Sequence, residues 1–176
     1  LFGSVYYLDP AITGVAVFAK HREALADLRN HFGSGDCRFR FQFISAAQPA
    51  NSEASFRADA PLLQHNVKPK MIPSTAKGKK AYTEFKRMAE SPKGWALWEA
   101  SADFFRPHQI RAHAAVHEIP VLGDALYGGA EAPTLRELHP KKQRAILNFP
   151  SFHGLALHLA EVQLVPSDPN AIILCE

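Results

Sequence analysis

Residues 106–128 read RPHQIRAHAAVHEIPVLGDALYG and decide how the chain is interpreted. The stretch holds two arginines, three histidines and an aspartate, an inventory that a core helix rarely needs. Ile110 and Ala114 form an apolar face at helical spacing, while His108 and Arg111 lie on the opposite face. We therefore expect a helix that buries one side and presents basic side chains on the other.

The ends of this stretch support the same interpretation. Pro107 suits the first turn of a helix, where its missing N–H costs nothing. Arg106 lies just upstream of Arg111, and two such guanidinium groups can neutralise phosphates or hold a carboxylate through paired hydrogen bonds. Residues 122–124 and 127–129 contain the glycines of two tight turns.

A second informative stretch is YLDPAITG at residues 7–14, followed by the apolar run VAVFA at residues 15–19. It places Asp9 at a turn punctuated by proline and glycine, directly before a predicted strand. Such a carboxylate can be held rigidly at a cleft. The alternative is a turn or capping aspartate without a chemical role.

The composition is that of one compact domain covering residues 1–176, with 47% hydrophobic and 21% charged side chains. A net charge of +3 permits an anionic partner. No apolar run of about 18 residues and no signal peptide are found, so we expect a cytoplasmic protein without a membrane partner. The chain begins without methionine, which indicates either a fragment or a short family member.

The pattern of elements favours an α+β fold, because strands and a few helices alternate without a repeated βαβ period. Residues 37–45 alternate, with Phe39, Phe41 and Phe43 on one side, which is typical of a half-buried strand. Residues 46–60 are predicted to form a loop. The remaining predictions are strands at residues 15–19, 81–88, 94–101, 155–159, 161–165 and 172–174, and helices at residues 21–32, ended by Gly33, and 134–148.

Both informative stretches resemble the RluA family of RNA pseudouridine synthases. The family segment GR-x-HQ-I/L-R-x-H, HP-I/V-x-GD and YG corresponds here to FRPHQIRAH, EIPVLGD and LYG. The family's catalytic segment HRLD-x-x-TSG corresponds to YYLDPAITG. Both segments occur in the family's order, about 100 residues apart. The resemblance implies a pseudouridine synthase catalytic fold, with a mixed, mostly antiparallel sheet, flanking helices and a cleft.

The resemblance also implies the roles of individual residues. Asp9 would be the catalytic aspartate and Arg111 its basic partner, since a nearby guanidinium favours the charged form of a carboxylate. Arg106 and His108 would shape the pocket or touch phosphate. The substrate-binding set is completed by Gln109 and by Tyr7, which stands where the family carries an arginine.

Phe39 stands where the family carries a tyrosine on a strand. Its ring would stack on a flipped uracil, a contact worth about 1–3 kcal/mol per base, although without the tyrosine's hydroxyl group. The alternative is that Phe39 belongs to the core with Phe41 and Phe43. Lysines at positions 68–80 would supply phosphate contacts if they lie beside the cleft.

The resemblance therefore implies an isomerase that converts uridine to pseudouridine in structured ribosomal or transfer RNA. It would need no cofactor and no metal, would not act on DNA, and would be a monomer. One alternative is a non-catalytic RNA-binding module or RNA chaperone on the same fold. Another is a metal hydrolase using His113, His117 and Asp124, but the two histidines lack the glutamate of an H-E-x-x-H site.

Overall fold

The part of the chain that the structure describes consists of short strands and two helices. The computed structural model describes residues 3–6, 8–46, 53–92, 94–133 and 154–164. The elements in chain order are β1 (Gly3–Ser4), β2 (Thr13–Gly14), β3 (Phe18–Ala19), α1 (Arg22–Ser34), β4 (Cys37–Ser45), β5 (Ser55–Ala58), β6 (Leu62–Gln64), β7 (Met71–Pro73), β8 (Thr83–Glu90), β9 (Ala96–Ala102), α2 (Gln109–Val116) and β10 (Leu157–Leu164), with a 3₁₀ turn at Ala125–Tyr127. The helix predicted at residues 134–148 and the strand predicted at residues 172–174 lie outside the described residues.

The central sheet has six strands in the order β2-β10-β4-β9-β8-β5. Strands β2 and β10 run parallel, and the other neighbouring pairs are antiparallel. Two small antiparallel pairs, β1 with β3 and β6 with β7, lie outside this sheet. The predicted α+β class with a mixed, mostly antiparallel sheet is confirmed.

Strand β4 is a central strand of this sheet, and its alternation creates the core. Phe39, Phe41 and Phe43 are each at most 1% exposed, while Arg38 and Arg40 lie on the other face. Burying a phenylalanine side chain contributes about 1.5–3 kcal/mol. The apolar side of α2 joins the same core, as its spacing predicts.

Several predicted boundaries were wrong. Helix α1 continues through Gly33 and ends at Gly35, which adopts a left-handed conformation with φ of 93°. Residues 15–19 are not one buried strand, because Val15 is 38% exposed and only Phe18–Ala19 forms a strand, β3. The strands predicted at residues 155–159 and 161–165 are one strand, β10. An irregularity between Leu159 and Glu161 lets both halves of it pair with β4.

The predicted loop at residues 46–60 contains an edge strand, β5, which pairs with β8. The strand was not predicted because residues 46–60 are rich in alanine and serine. Phe56 anchors it, with its ring centroid 5.2 Å from that of Phe85 and 5.9 Å from that of Trp98. The predicted hairpin of residues 81–101 is confirmed as β8 and β9.

Candidate active site

Asp9 lies in a tight turn before β2. The Ile12 N–H donates to the Asp9 carbonyl at 2.9 Å, with Pro10 at the second position of the turn. The Ala11 N–H donates to Oδ1 of Asp9 at 3.0 Å. One carboxylate oxygen thus supports the turn, and the other, Oδ2, faces neighbouring side chains. Asp9 is therefore both a turn residue and a candidate site residue.

Gly14 fixes this turn against the sheet. Its φ is 134°, and a Cβ at this position would lie 2.3 Å from the carbonyl oxygen of Leu159. A residue with a side chain would be strained in this conformation and would also collide with β10. The glycine therefore allows β2 to lie against β10 and holds the Asp9 turn in place.

Arg111 connects two acidic side chains. Its Nη1 contacts Oδ2 of Asp9, while Nε and Nη2 donate to the two carboxylate oxygens of Asp124 at 2.6 and 2.7 Å. Burial lowers the pKa of Arg111, but the hydrogen bonds and charges of Asp124 and Asp9 outweigh it, so the pKa is raised. The structure thus brings together the two groups that the motifs were expected to join, 102 positions apart.

Sequence reasoning missed the role of Asp124, which it considered only as a metal ligand. Asp124 is 1% exposed and holds Arg111 in a bidentate ion pair. Gly123, with φ of 85°, passes so close to the Gly154 carbonyl that a Cβ would lie 2.5 Å from it. The sequence contained one signal for this role: a glycine-aspartate turn, Gly123 and Asp124, follows the helix that carries Arg111.

His108 is the third side chain at Asp9. Its Nε2 lies 3.1 Å from Oδ2 of Asp9, and its Nδ1 lies 3.1 Å from the hydroxyl oxygen of Tyr127. Burial, followed by the positive charge of Arg111, lowers the pKa of His108, while Asp9 and Asp124 act in the opposite direction. The imidazole is therefore neutral at pH 7.

Tyr127 contacts both His108 and Arg111. Its ring centroid lies 5.0 Å from the Arg111 guanidinium carbon, which is cation–π distance. Burial raises the pKa of Tyr127 to about 12. The phenol thus keeps its proton and can act as a hydrogen-bond donor.

Two of the predicted substrate-binding residues have other contacts. Gln109 is fully buried, donates to the Tyr82 carbonyl at 2.8 Å and accepts from the Arg106 N–H at 2.9 Å. Its amide supports the fold, and its contact with substrate stays a prediction. The guanidinium of Arg106 lies 5.4 Å from the centroid of the Phe104 ring. Its role at phosphate stays a prediction.

Two other predictions concern the start of the chain and the core. Tyr7 lies outside the described residues. Phe39 is 1% exposed, and its ring contacts those of Tyr6, Phe32 and Phe105. The core alternative describes this position, because a base could reach the ring only after its aromatic neighbours had moved.

Pro107 precedes α2 in a turn closed by a 3.1 Å bond from the Gln109 N–H to the Arg106 carbonyl, rather than lying in the helix.

The metal-hydrolase alternative does not fit the contacts of its residues. Both ring nitrogens of His113 are used, at 2.9 Å from the Thr83 hydroxyl and 2.9 Å from the Ala60 carbonyl. The His117 ring stacks near Phe56, and Asp124 is bound to Arg111. Within the described ranges, no group of three histidine, cysteine or acidic side chains converges as metal ligands do.

The buried His113 makes stability depend on pH. Burial lowers the pKa of His113 below its ordinary 6.5, whereas in the unfolded chain the pKa returns to that value. As pH falls below 6.5, the unfolded state therefore binds a proton that the folded state does not bind. The stability present above pH 6.5 is lost as pH falls below this value. The loss is at most about 1.4 kcal/mol per pH unit for this residue.

Urea unfolding between pH 7.5 and 5.5 measures this effect. His113→Gln should give a shallower decline than the wild type. Equal slopes for the wild type and His113→Gln would contradict the expectation.

The comparison with known proteins identifies the family. Residues 2–116 match the RNA pseudouridylate synthase family. Ribosomal large subunit pseudouridine synthase D of Zymomonas mobilis is 30% identical over 165 residues, which cover 93% of this chain and 48% of that protein. RNA pseudouridine synthase 2, chloroplastic, of rice is 33% identical over 145 residues, 79% of this chain and 32% of that protein. The chain belongs to the RNA pseudouridylate synthase family, and the resemblance to the RluA family is confirmed.

The fold is also that of solved structures. Human RNA Pseudouridylate Synthase Domain Containing 1 superposes with a TM-score of 0.70 at 17% identity, covering 99% of this chain and 68% of that one. Human RNA Pseudouridylate Synthase Domain Containing 4 gives 0.67 at 19% identity, covering 92% and 66%. The chain spans about half or less of the length of the curated relatives described above. Among the residues with described structure, no helix is long and apolar enough to cross a membrane.

Proposed function

We propose that the protein is an RNA pseudouridine synthase that converts uridine to pseudouridine in ribosomal or transfer RNA, with Asp9 as the nucleophile. The observation that carries the proposal is the contact of the Asp9 carboxylate with Arg111 and His108. Two donors, Nη1 of Arg111 and Nε2 of His108, contact Oδ2 of the carboxylate, and 11% of its side chain stays exposed. An unpaired aspartate at such a depth would tend to protonate and lose its nucleophilicity.

The proposed reaction is an isomerisation and needs no cofactor. The target uridine is flipped out of its stack, which costs a few kcal/mol. The Asp9 carboxylate attacks either C1′ of the sugar or the base, and the N1–C1′ bond breaks. The uracil then rotates and forms the C5–C1′ bond, C5 loses its proton, N1 takes up a proton from solvent, and Asp9 is regenerated. The contacts of Asp9 are compatible with both points of attack.

The positively charged guanidinium of Arg111 contacts two carboxylates, those of Asp124 and Asp9. Asp124 takes two of its N–H groups and fixes the plane of the guanidinium. The remaining Nη1 is directed at Asp9. A nearly buried arginine with a raised pKa keeps its positive charge throughout the reaction.

A lysine segment at residues 68–80 provides the proposed RNA contacts. It contains Lys68, Lys70, Lys77, Lys79 and Lys80, and no acidic residue lies between positions 61 and 80. Two contacts tie the segment to the site: Met71 bonds to the Tyr127 hydroxyl, and the Lys80 carbonyl lies 3.5 Å from Nε of Arg106. Phosphate contacts by such lysines dominate RNA affinity.

Removing two charges from the lysine segment should weaken RNA binding and its dependence on salt. Lys77 and Lys79 are exposed, so Lys77→Gln with Lys79→Gln should spare the fold. For single-stranded RNA, each lost phosphate contact lowers the slope of log K against log salt by about 0.7. The matched control Lys20→Gln with Lys86→Gln removes the same charge elsewhere. Equal slopes for both double variants, measured by filter binding, would show that the lysine segment does not contact the RNA phosphates.

Tritium release tests the function itself. The natural full-length protein is incubated with ribosomal and transfer RNA transcripts carrying tritium at C5 of uridine, which is released when C5 bonds to the sugar. We expect release from one class of transcript, which identifies the substrate. Binding that weakens with salt, without release from either class, would instead support the non-catalytic RNA-binding module. The buried Phe39, which lacks a hydroxyl group, is the observation that favours this second candidate.

The one-domain organisation, the monomeric state, the cytoplasmic location and the absence of DNA binding stay predictions.

A further inference from the structure

A chain of hydrogen-bonding groups reaches Asp9 from the lysine segment. The Met71 N–H donates to the hydroxyl of Tyr127 at 2.7 Å, and this hydroxyl lies 3.1 Å from Nδ1 of His108. Nε2 of His108 lies 3.1 Å from Oδ2 of Asp9. Neither Tyr127 nor His108 is accounted for by the ion pair between Arg111 and Asp9.

The chemistry of Asp9 determines where the protons lie. An ionised carboxylate only accepts hydrogen bonds, so Nε2 of a neutral His108 must carry the ring proton. Nδ1 then presents a lone pair, to which the hydroxyl of Tyr127 donates. That hydroxyl accepts from the Met71 N–H at 2.7 Å and has two acceptors for its single proton, Nδ1 of His108 at 3.1 Å and the Met71 carbonyl at 3.3 Å. The shorter distance favours donation to Nδ1.

The surroundings of His108 maintain this arrangement. The charged and titratable groups that face its ring are Asp9, Arg111, Asp124 and Tyr127. The guanidinium opposes a second proton on the ring, and the phenol keeps its own proton. His108 also has φ of 53° at the N-terminal end of α2, a left-handed conformation that is rare for residues other than glycine. The strained backbone directs the ring toward Asp9.

We propose that His108 and Tyr127 are positioning residues: Tyr127 fixes the tautomer of His108, and the Nε2–H of His108 fixes the orientation of the Asp9 carboxylate. This inference rests on the proposed function. Arg111 supplies an opposite charge and one donor to Asp9, and His108 supplies a second donor. Misplacing a reacting group by about 1 Å can cost about 100-fold in rate, so this second donor matters for catalysis.

Two substitutions at His108 separate positioning from packing. In His108→Gln the side-chain amide reaches the place of Nε2 and can still donate to Asp9. In His108→Asn the amide reaches only the place of Nδ1. We expect kcat for tritium release to fall less than about 5-fold in His108→Gln and about 100-fold in His108→Asn, with KM within 3-fold of the wild type in both. The exposed control His21→Asn, which keeps a side chain able to cap α1, should behave as the wild type.

Tyr127→Phe tests the coupling between the two residues. We expect a fall in kcat of about 10-fold when His108 is present, and no further fall in the His108→Gln background, where there is no tautomer to fix. Additive losses in the two backgrounds would overturn the chain. Equal losses in His108→Gln and His108→Asn would overturn the positioning role. Thermal unfolding of every variant shows whether a loss comes from misfolding.

A readout without catalysis separates this inference from the proposed function. Long-range ¹⁵N–¹H spectra of the wild type should show the proton of His108 on Nε2, and this preference should weaken in Tyr127→Phe. A proton on Nδ1 would overturn the chain whether or not the enzyme is active. A wild type that releases no tritium, with the proton on Nε2, would overturn the proposed function and the catalytic role but leave the hydrogen-bonded chain standing.

Discussion

Asp9→Asn is expected to abolish tritium release, with a fall in rate on the order of 10⁴-fold or more, as is typical when a nucleophile is removed. Asparagine is nearly isosteric with aspartate but carries no negative charge and is a poor nucleophile. Its carbonyl oxygen can still accept from the Ala11 N–H, so the turn survives. Release from labelled RNA and thermal unfolding, measured on the same preparation, check the two halves of this expectation.

The control for this variant is Asp27→Asn, which makes the same change at an exposed position of α1. It should leave both release and stability unchanged. Because Arg111 keeps its bidentate partner Asp124 in the Asp9→Asn protein, the guanidinium is not left unpaired, and we expect a change in stability of less than about 1 kcal/mol. Release that persists within 10-fold of the wild type would exclude Asp9 as the nucleophile.

The sequence predicted those features that depend on local periodicity. The alternation in β4 and the apolar face of α2 follow from spacing alone. Strand β5 could not be predicted in this way, because Phe56 is the only large apolar residue among its four, and its pairing with β8 is a tertiary effect. The join within β10 was likewise invisible, since both halves become one strand only by pairing with β4.

Some contacts of the candidate site were predicted from the sequence, and others were not. The meeting of Asp9 and Arg111 was anticipated because two motifs of one family occur in order, whereas spacing could not relate residues 102 positions apart. Asp124 and Tyr127 lie within the second motif, but their contacts depend on how the chain turns after α2. The backbone contacts of Gln109 were not anticipated, because polar side chains in a functional motif also satisfy buried backbone groups, as its bond to the Tyr82 carbonyl shows.

Arg111→Lys is the second change with a large expected effect, because one side chain serves both acids. A lysine ammonium is a single point of charge and cannot form the planar bidentate pair with Asp124 while also reaching Asp9. Asp124 is 1% exposed, so it would be left buried with weakened compensation. Breaking such a buried pair costs about 3–5 kcal/mol when a partner is removed. We expect about 3 kcal/mol for this partial loss, measured by urea unfolding.

The same change should lower the rate of tritium release by about 100-fold, since Asp9 loses the directed donor that holds its orientation. Arg106→Lys is the matched control: it makes the same substitution five positions earlier, where the guanidinium packs on Phe104 outside the ion pair. This control should unfold within about 0.5 kcal/mol of the wild type. Equal stability losses in the two variants would mean that the pairing of Arg111 with Asp124 and Asp9 contributes nothing specific, and the proposed electrostatic support of the nucleophile would have to be abandoned.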